Sequence, residues 1–291
     1  MIHKYTVASL VVLALLLTGA IYSATAIDPL AKITPQSPAV AQASTTDNTD
    51  NGHQTKVDID PQAKSTNSNN PVKNVYLTFD DGPNSHYTGL ILDILKKYGI
   101  RASFVVVGNA IEKNPEVLKR IVHEGHCLIN HTYSHDYKKI YSSPWVFLND
   151  LQLCNQSIAS VTGSTVTIFR APGGPSNLNN SYFDLLSKHG YKSIGWNVTS
   201  ADTDPKGVSP EAIYNNVING VLEIEKMHRA PIILMHDGTE INLGQATLDP
   251  AVRNYISNRE SDVAALPGII EFLQGRGYTF AIVDAQTPPA W

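Results

Sequence analysis

From Asn74 onward the chain repeats one unit: an amphipathic helical stretch, a glycine, then a short run rich in β-branched and aromatic residues. In the first unit Ile91, Ile94, Leu95 and Tyr98 share a helical face, Gly99 stops the helix, and residues 102–107 read as a strand. In the second, Asn114 caps, Pro115 takes the first helical position, Val117, Leu118, Ile121 and Val122 face inward, and Gly125 precedes a strand at 127–129. A helix over 182–189 leads through Gly190 to a strand over 192–196. Another opens at Ser209-Pro210, carries Ile213, Val217, Val221 and Leu222, and feeds a strand over 232–235; a last helix over 266–274 precedes a strand over 278–283. This alternation predicts an α/β fold in which helices cover a parallel sheet, either open or closed into a barrel. With 291 residues and 42% hydrophobic content, the chain can fill such a core.

Ahead of the repeat the texture differs. His3 and Lys4 precede an apolar run over 7–22, and Ala24 and Ala26 form a small-residue cleavage pattern. Residues 1–26 therefore read as a secretion signal or, uncleaved, as a membrane anchor, and the rest is expected outside the cell, secreted or held at the envelope. Residues 27–73 carry no aromatic residue and read as a disordered polar linker, either a tether or a tolerated leader. Residues 74–291 are left as the catalytic domain. A net charge of -4 without any basic block argues against nucleic acid as partner, and membrane contact is expected only through an uncleaved N-terminal segment. Cys127 and Cys154 are too few for a disulfide scaffold and lack metal-type spacing; they either pair or remain buried thiols.

In parallel α/β folds the loops at the C-terminal strand ends share one face, and chemistry collects there. Those ends carry Asp80-Asp81, Gly108-Asn109, Asn130-His131, Arg170, Asn197 and His236-Asp237, a clustering that marks a candidate active site. The apolar run at 75–79 stops abruptly at Asp80 and Asp81, with Gly82-Pro83 forbidding its continuation. Adjacent carboxylates point in different directions, so one can hold a cation while the other serves as a base. Taken alone, Asp-Asp-Gly equally suits a strand-ending turn. His131 and His135 stand four apart, a spacing at which one turn of helix aligns both rings. Two imidazoles and a carboxylate make a three-ligand set that suits zinc, with a fourth position left to water or substrate.

Four stretches in order carry a resemblance: residues 78–82 (TFDDG), 130–135 (NHTYSH), 169–174 (FRAPGG) and 234–237 (LMHD). Together they resemble the motifs of the polysaccharide deacetylases, the NodB homology group of carbohydrate esterase family four, over about residues 74–285. The resemblance implies a distorted, incomplete (β/α) barrel with parallel strands. It implies Asp81, His131 and His135 as ligands of a divalent metal, expected to be zinc, Asp80 as general base, Arg170 as its ionic partner, and His236 as the general acid that protonates the departing amine. Gly173 stands where many relatives carry tyrosine and keeps the backbone N–H offered to an oxyanion, while Leu234 matches the position lining the acetyl pocket. Pro172 and Trp196 complete the expected substrate contacts. One motif departs: where relatives often have Asp-x-x-Asp-Trp, residues 199–203 read TSADT. The acid missing at Thr199 is expected to tune the histidine, so either Asp202 substitutes or nothing does.

The implied activity is removal of N-acetyl groups from N-acetylglucosamine units of a polymer, with peptidoglycan the nearest substrate for an exported, tethered enzyme. Chitin-type oligosaccharides and O-acetylated xylan are the alternatives within the same chemistry. Outside it stand a carbohydrate-binding protein on an inactive scaffold and a surface protein whose metal serves stability alone. The polar stretch over 239–262 reads as an insertion beside the cleft.

Overall fold

The computed structural model describes residues 73–238 and 250–290. The leader and all but the last residue of the linker lie outside the described residues, as does the 239–249 part of the expected insertion. Strands β1 (Asn74–Asp80), β2 (Ser103–Val106), β3 (Cys127–Asn130), β4 (Ile168–Phe169), β5 (Lys192–Ser193), β6 (Val198–Thr199), β7 (Ile232–His236) and β8 (Thr279–Ala281) form one sheet. Its order is β5-β4-β3-β2-β1-β7-β6, with every pairing parallel. β8 lies beside the first half of β1, on residues 74–76, while β2 takes residues 78–80. The outermost strands β5 and β6 are joined by residues 194–197 alone, so the sheet must curl back on itself although these two edges do not pair. The result is the expected incomplete (β/α) barrel.

Side chains alternate across each strand, and that alternation divides the core. Val75, Leu77 and Phe79 of β1, Phe104 and Val106 of β2, and Ile233 and Met235 of β7 face outward. They pack under the apolar faces of helices α1 (Tyr87–Tyr98), α3 (Pro115–His123), α5 (Pro144–Thr162), α7 (Pro210–Lys226) and α8 (Pro250–Gly275). Tyr76, Val105, Ile129, Ile194 and Ile232 fill the barrel interior. Two and four residues further along the same inward rows come Thr78 and Asp80, His131, and Leu234 and His236. The register thus aims apolar residues into the barrel floor and titratable ones into its C-terminal mouth. A second aromatic cluster of Phe147, Phe169 and Tyr182 ties α5 and β4 to α6 (Asn180–Lys188).

Several boundaries differ from the sequence reading. Short helices stand at α2 (Gly108–Lys113) and α4 (Tyr137–Ile140), and the strand expected over 192–196 ends at Ser193. The side chain of Asn114 does not cap α3; its amide donates to the carbonyls of Pro83 and Ala110, tying the helix start to the β1 loop. α5 was not anticipated. Besides Phe147, Leu148, Leu151 and Ile158 it buries Asp150, Asn155 and Ser157, which blur the apolar stripe. α8 is far longer than residues 266–274, because Pro267 stands inside it and the chain folds helically on both sides. Residues 250–262 of the expected insertion are therefore helix.

Candidate active site

The β1 strand ends on Asp80, and Asp81 turns away in the left-handed region with φ of 75°. The two carboxylates consequently serve different neighbours. Asp80 Oδ1 accepts from Arg170 Nη1 at 2.6 Å, and the same Nη1 reaches Thr78 Oγ1 at 2.8 Å while Nη2 donates to the Gly195 carbonyl at 2.9 Å. Arg170 is wholly buried, so its charge is answered inside the barrel mouth and not by solvent. Trp196 lies against its guanidinium, 5.6 Å from ring centre to Cζ.

Asp81 faces the histidines. Its Oδ1 lies 3.3 Å from Nε2 of His131 and 3.3 Å from Nε2 of His135, buried and without a hydrogen-bond donor. His131 Nδ1 donates to the Arg170 carbonyl at 2.8 Å, which fixes the tautomer and leaves Nε2 with its lone pair toward Asp81. The three ligand atoms lie within 4.8 Å of one another. A buried carboxylate oxygen lacking a donor, facing two imidazole nitrogens, is the donor set a divalent cation satisfies, and the residues fit such an ion. Burial opposes ionisation of Asp81; a hydrogen bond from His131 when its ring is protonated, together with the charges of protonated His236 and His135, outweighs it and holds the carboxyl well below the usual range.

The histidine pair does not sit on a helical turn, as its spacing suggested. Residues 131–136 form a loop in which Thr132 and His135 adopt positive φ (68° and 52°), and the two rings stand 5.0 Å apart and tilted by 48°. Asp150 of α5 holds this loop. Its Oδ1 accepts from the backbone N–H of Tyr133 and Ser134 at 2.8 and 2.7 Å, and Lys139 pairs with its Oδ2 at 2.9 Å. Sequence reasoning missed Asp150; the available signal was the lone acid among residues 144–162, flanked by Leu148 and Leu151.

His236 ends β7 opposite Asp80, its register partner. Its Nδ1 is held by both carboxylate oxygens of Asp202 at 2.9 and 3.0 Å, and its backbone N–H donates to Asp202 Oδ2 at 2.9 Å. The position of the missing acid, Thr199, is exposed on the short β6 strand, so Asp202 is the carboxylate that serves the histidine. Burial opposes the imidazolium, yet the charge and hydrogen bond of Asp202 outweigh it and, with Asp81, push His236 up to about 9. Next along the chain, burial pushes the Asp237 carboxyl up to about 7, against the Thr88 hydroxyl that donates to it at 2.5 Å. A Cβ at Gly238 would fall on the Asp81 carbonyl, so only glycine lets these two loops meet.

The expected substrate contacts separate. Gly173 and Trp196 line one cavity of about 450 Å³ together with Gly174, Pro175, Ser176 and Phe183. Gly173 has φ of 69°, and a Cβ there would meet the Tyr137 hydroxyl at 2.8 Å. Leu234 points into the barrel mouth one step below His236, and Pro172 contributes a carbonyl that accepts from Tyr141 at 2.6 Å. The two cysteines are free: Cys127 donates to the Val283 carbonyl and Cys154 to that of Val106.

The family model for polysaccharide deacetylase matches residues 67–194. A peptidoglycan-N-acetylglucosamine deacetylase of Bacillus cereus is 30% identical over 215 residues, 74% of this chain and 88% of that protein. A chitooligosaccharide deacetylase of Rhizobium leguminosarum bv. trifolii is 29% identical, over 71% of this chain and 88% of its own length. Among solved structures, the catalytic domain of a peptidoglycan N-acetylglucosamine deacetylase from Eubacterium rectale superposes with a TM-score of 0.60 at 31% identity, covering 79% of this chain and 97% of that one.

Proposed function

The chain belongs to the polysaccharide deacetylase family, and from that premise we propose that it hydrolyses N-acetyl groups from N-acetylglucosamine residues of a cell-surface polysaccharide, peptidoglycan first, releasing acetate. One observation carries this reading: a cation-ready triad, a carboxylate held by a buried arginine and a histidine held by a buried carboxylate converge on one strand-end face. In the proposal Asp81, His131 and His135 hold a divalent cation, for which zinc suits the ligand set. Such an ion supplies Lewis acidity, acidifying water and polarising the acetyl carbonyl.

The protein's own groups divide the remaining work. Asp80 accepts a proton from the attacking water, and Arg170 keeps its carboxylate turned into the cleft. The Gly173 N–H donates to the oxygen on which charge develops. His236 carries a proton at neutral pH and delivers it to the departing amine, which cannot leave as an anion. Leu234 borders the acetyl methyl, and Trp196 offers the sugar an apolar ring face beside Gly173.

The choice of peptidoglycan draws on the Bacillus cereus relative and on the exported location expected from residues 1–26. The Rhizobium relative keeps chito-oligosaccharides in view. Mass spectrometry of peptidoglycan fragments and of chito-oligosaccharides incubated with the protein tests the choice. Acetyl loss from the peptidoglycan glucosamine at the faster rate is the expected result; acetyl loss confined to chito-oligosaccharides would overturn it.

A further inference from the structure

Asp202 is a poor residue to leave to its own strand. β6 is two residues long, and Ala201, between it and Asp202, adopts positive φ (58°), a conformation a non-glycine residue holds only when its surroundings impose it. Asn216 of α7 holds the Ser200 carbonyl before the bend, and α8 holds the turn after it. Asn258 Nδ2 donates to the carbonyls of Asp202 and Asp204 at 2.8 and 3.0 Å, and its Oδ1 accepts from the Val208 N–H at 2.7 Å. Arg259, the next residue, donates through Nη2 to the Asp202 carbonyl at 2.7 Å and lies 3.2 Å from Asp202 Oδ2. Both are completely buried.

The same Oδ2 that faces Arg259 accepts the His236 backbone N–H, and the carboxylate as a whole grips His236 Nδ1. Arg259 is therefore the far end of a buried line, arginine to carboxylate to imidazole. Its other acidic neighbour, Asp262, is one helical turn away at 3.5 Å, farther than either contact to Asp202. A role limited to neutralising Asp262 would not require Nη2 to reach both the carbonyl and the carboxylate of the residue that orients His236.

We propose that Arg259 is a positioning residue for proton delivery by His236, acting through Asp202. The inference rests on the deacetylase reading above. Its consequence is selective: losing the orientation of His236 slows a reaction whose leaving group needs a proton and spares one whose leaving group does not. Both contacts are made by the outer guanidinium nitrogen Nη2, which stands farther from the backbone than a lysine Nζ reaches.

The test compares Arg259→Met, Arg259→Lys, Asp202→Asn and the double variant Asp202→Asn/Arg259→Met with the parent protein. Each is assayed on an N-acetylglucosamine oligomer and on an aryl acetate, with thermal melts recording the folded fraction. For Arg259→Met, kcat on the amide should fall by about tenfold or more with KM little changed, whereas the aryl acetate rate should fall by less than about threefold. In the Asp202→Asn background, Arg259→Met should add little, because the route through the carboxylate is already cut. Equal losses on amide and ester, or losses that multiply in the double variant, would overturn the proposal. Should Arg259→Met not fold, Arg259→Lys and its double with Asp202→Asn carry the same comparison. Parent protein that releases no acetate from the oligomer would instead refute the deacetylase reading itself.

Discussion

Replacing Asp202 by asparagine keeps the shape of the group that holds His236 and removes its charge. In the parent, His236 is displaced from 6.5 to about 9, on the order of 3 kcal/mol in favour of the imidazolium. Burial and the nearby Arg259 charge pull the other way while Asp81 still raises it, so without the Asp202 charge the imidazole returns toward its ordinary value. At pH 8 the protonated fraction then drops from roughly nine-tenths to roughly three-hundredths, a loss of about thirtyfold in the form able to donate. Because the raised value means the proton is held at low pH and lost as pH rises, the deficit must shrink on acidification, and at pH 6 most of the variant's imidazole is protonated again. Acetate release from an N-acetylated oligomer should fall about thirtyfold at pH 8 and recover toward pH 6, while hydrolysis of an aryl acetate should change by less than about threefold. A loss of equal size on both substrates, or one unchanged between pH 8 and pH 6, would refute the proton-donor assignment.

Three further expectations follow from the same geometry. Asp80→Asn should retain metal, measured by elemental analysis, and lose about 10²- to 10⁴-fold in kcat, whereas Asp81→Asn or His131→Ala should lose both; a metal-free Asp80→Asn protein would contradict the split between the two carboxylates. Asp150→Ala should weaken metal affinity by about 10- to 100-fold, since the Ser134 N–H would lose its acceptor and the Tyr133 N–H would keep only the main-chain carbonyl of residue 150, and titration with a competing chelator measures this directly. Phe147→Ala should destabilise the fold by about 3–5 kcal/mol, because the ring is fully buried against Phe169 and Tyr182; a denaturant midpoint shift worth less than about 1 kcal/mol would show that the aromatic cluster repacks.

The barrel and the rim of its site were legible because both depend on short-range pattern. Strand alternation alone places Asp80, His131 and His236 on inward rows, and the glycine and proline punctuation tells where those rows end. The features that escaped depend on long-range contacts or on local conformations that periodicity does not encode. The His131–His135 spacing fits a helix, but the loop is fixed by Asp150 from another element and by two left-handed residues. The partner of His236 was left open between Asp202 and nothing, because the choice turns on the bend at Ala201 and the clamp from α8. That helix was itself half hidden by Pro267, whose missing N–H interrupts one backbone bond while Leu266, Ile269, Ile270 and Leu273 keep the segment packed. Buried polar residues on α5 concealed it in the same way.

The account turns on a cation at Asp81, His131 and His135 driving removal of acetyl groups from an aminosugar polymer. The most direct measurement is acetate release from an N-acetylglucosamine oligomer by purified protein, first stripped with a chelator and then resupplied with zinc. The account predicts no release from the stripped protein and full recovery at one equivalent of zinc. Release that persists undiminished in the stripped, metal-free protein would contradict it.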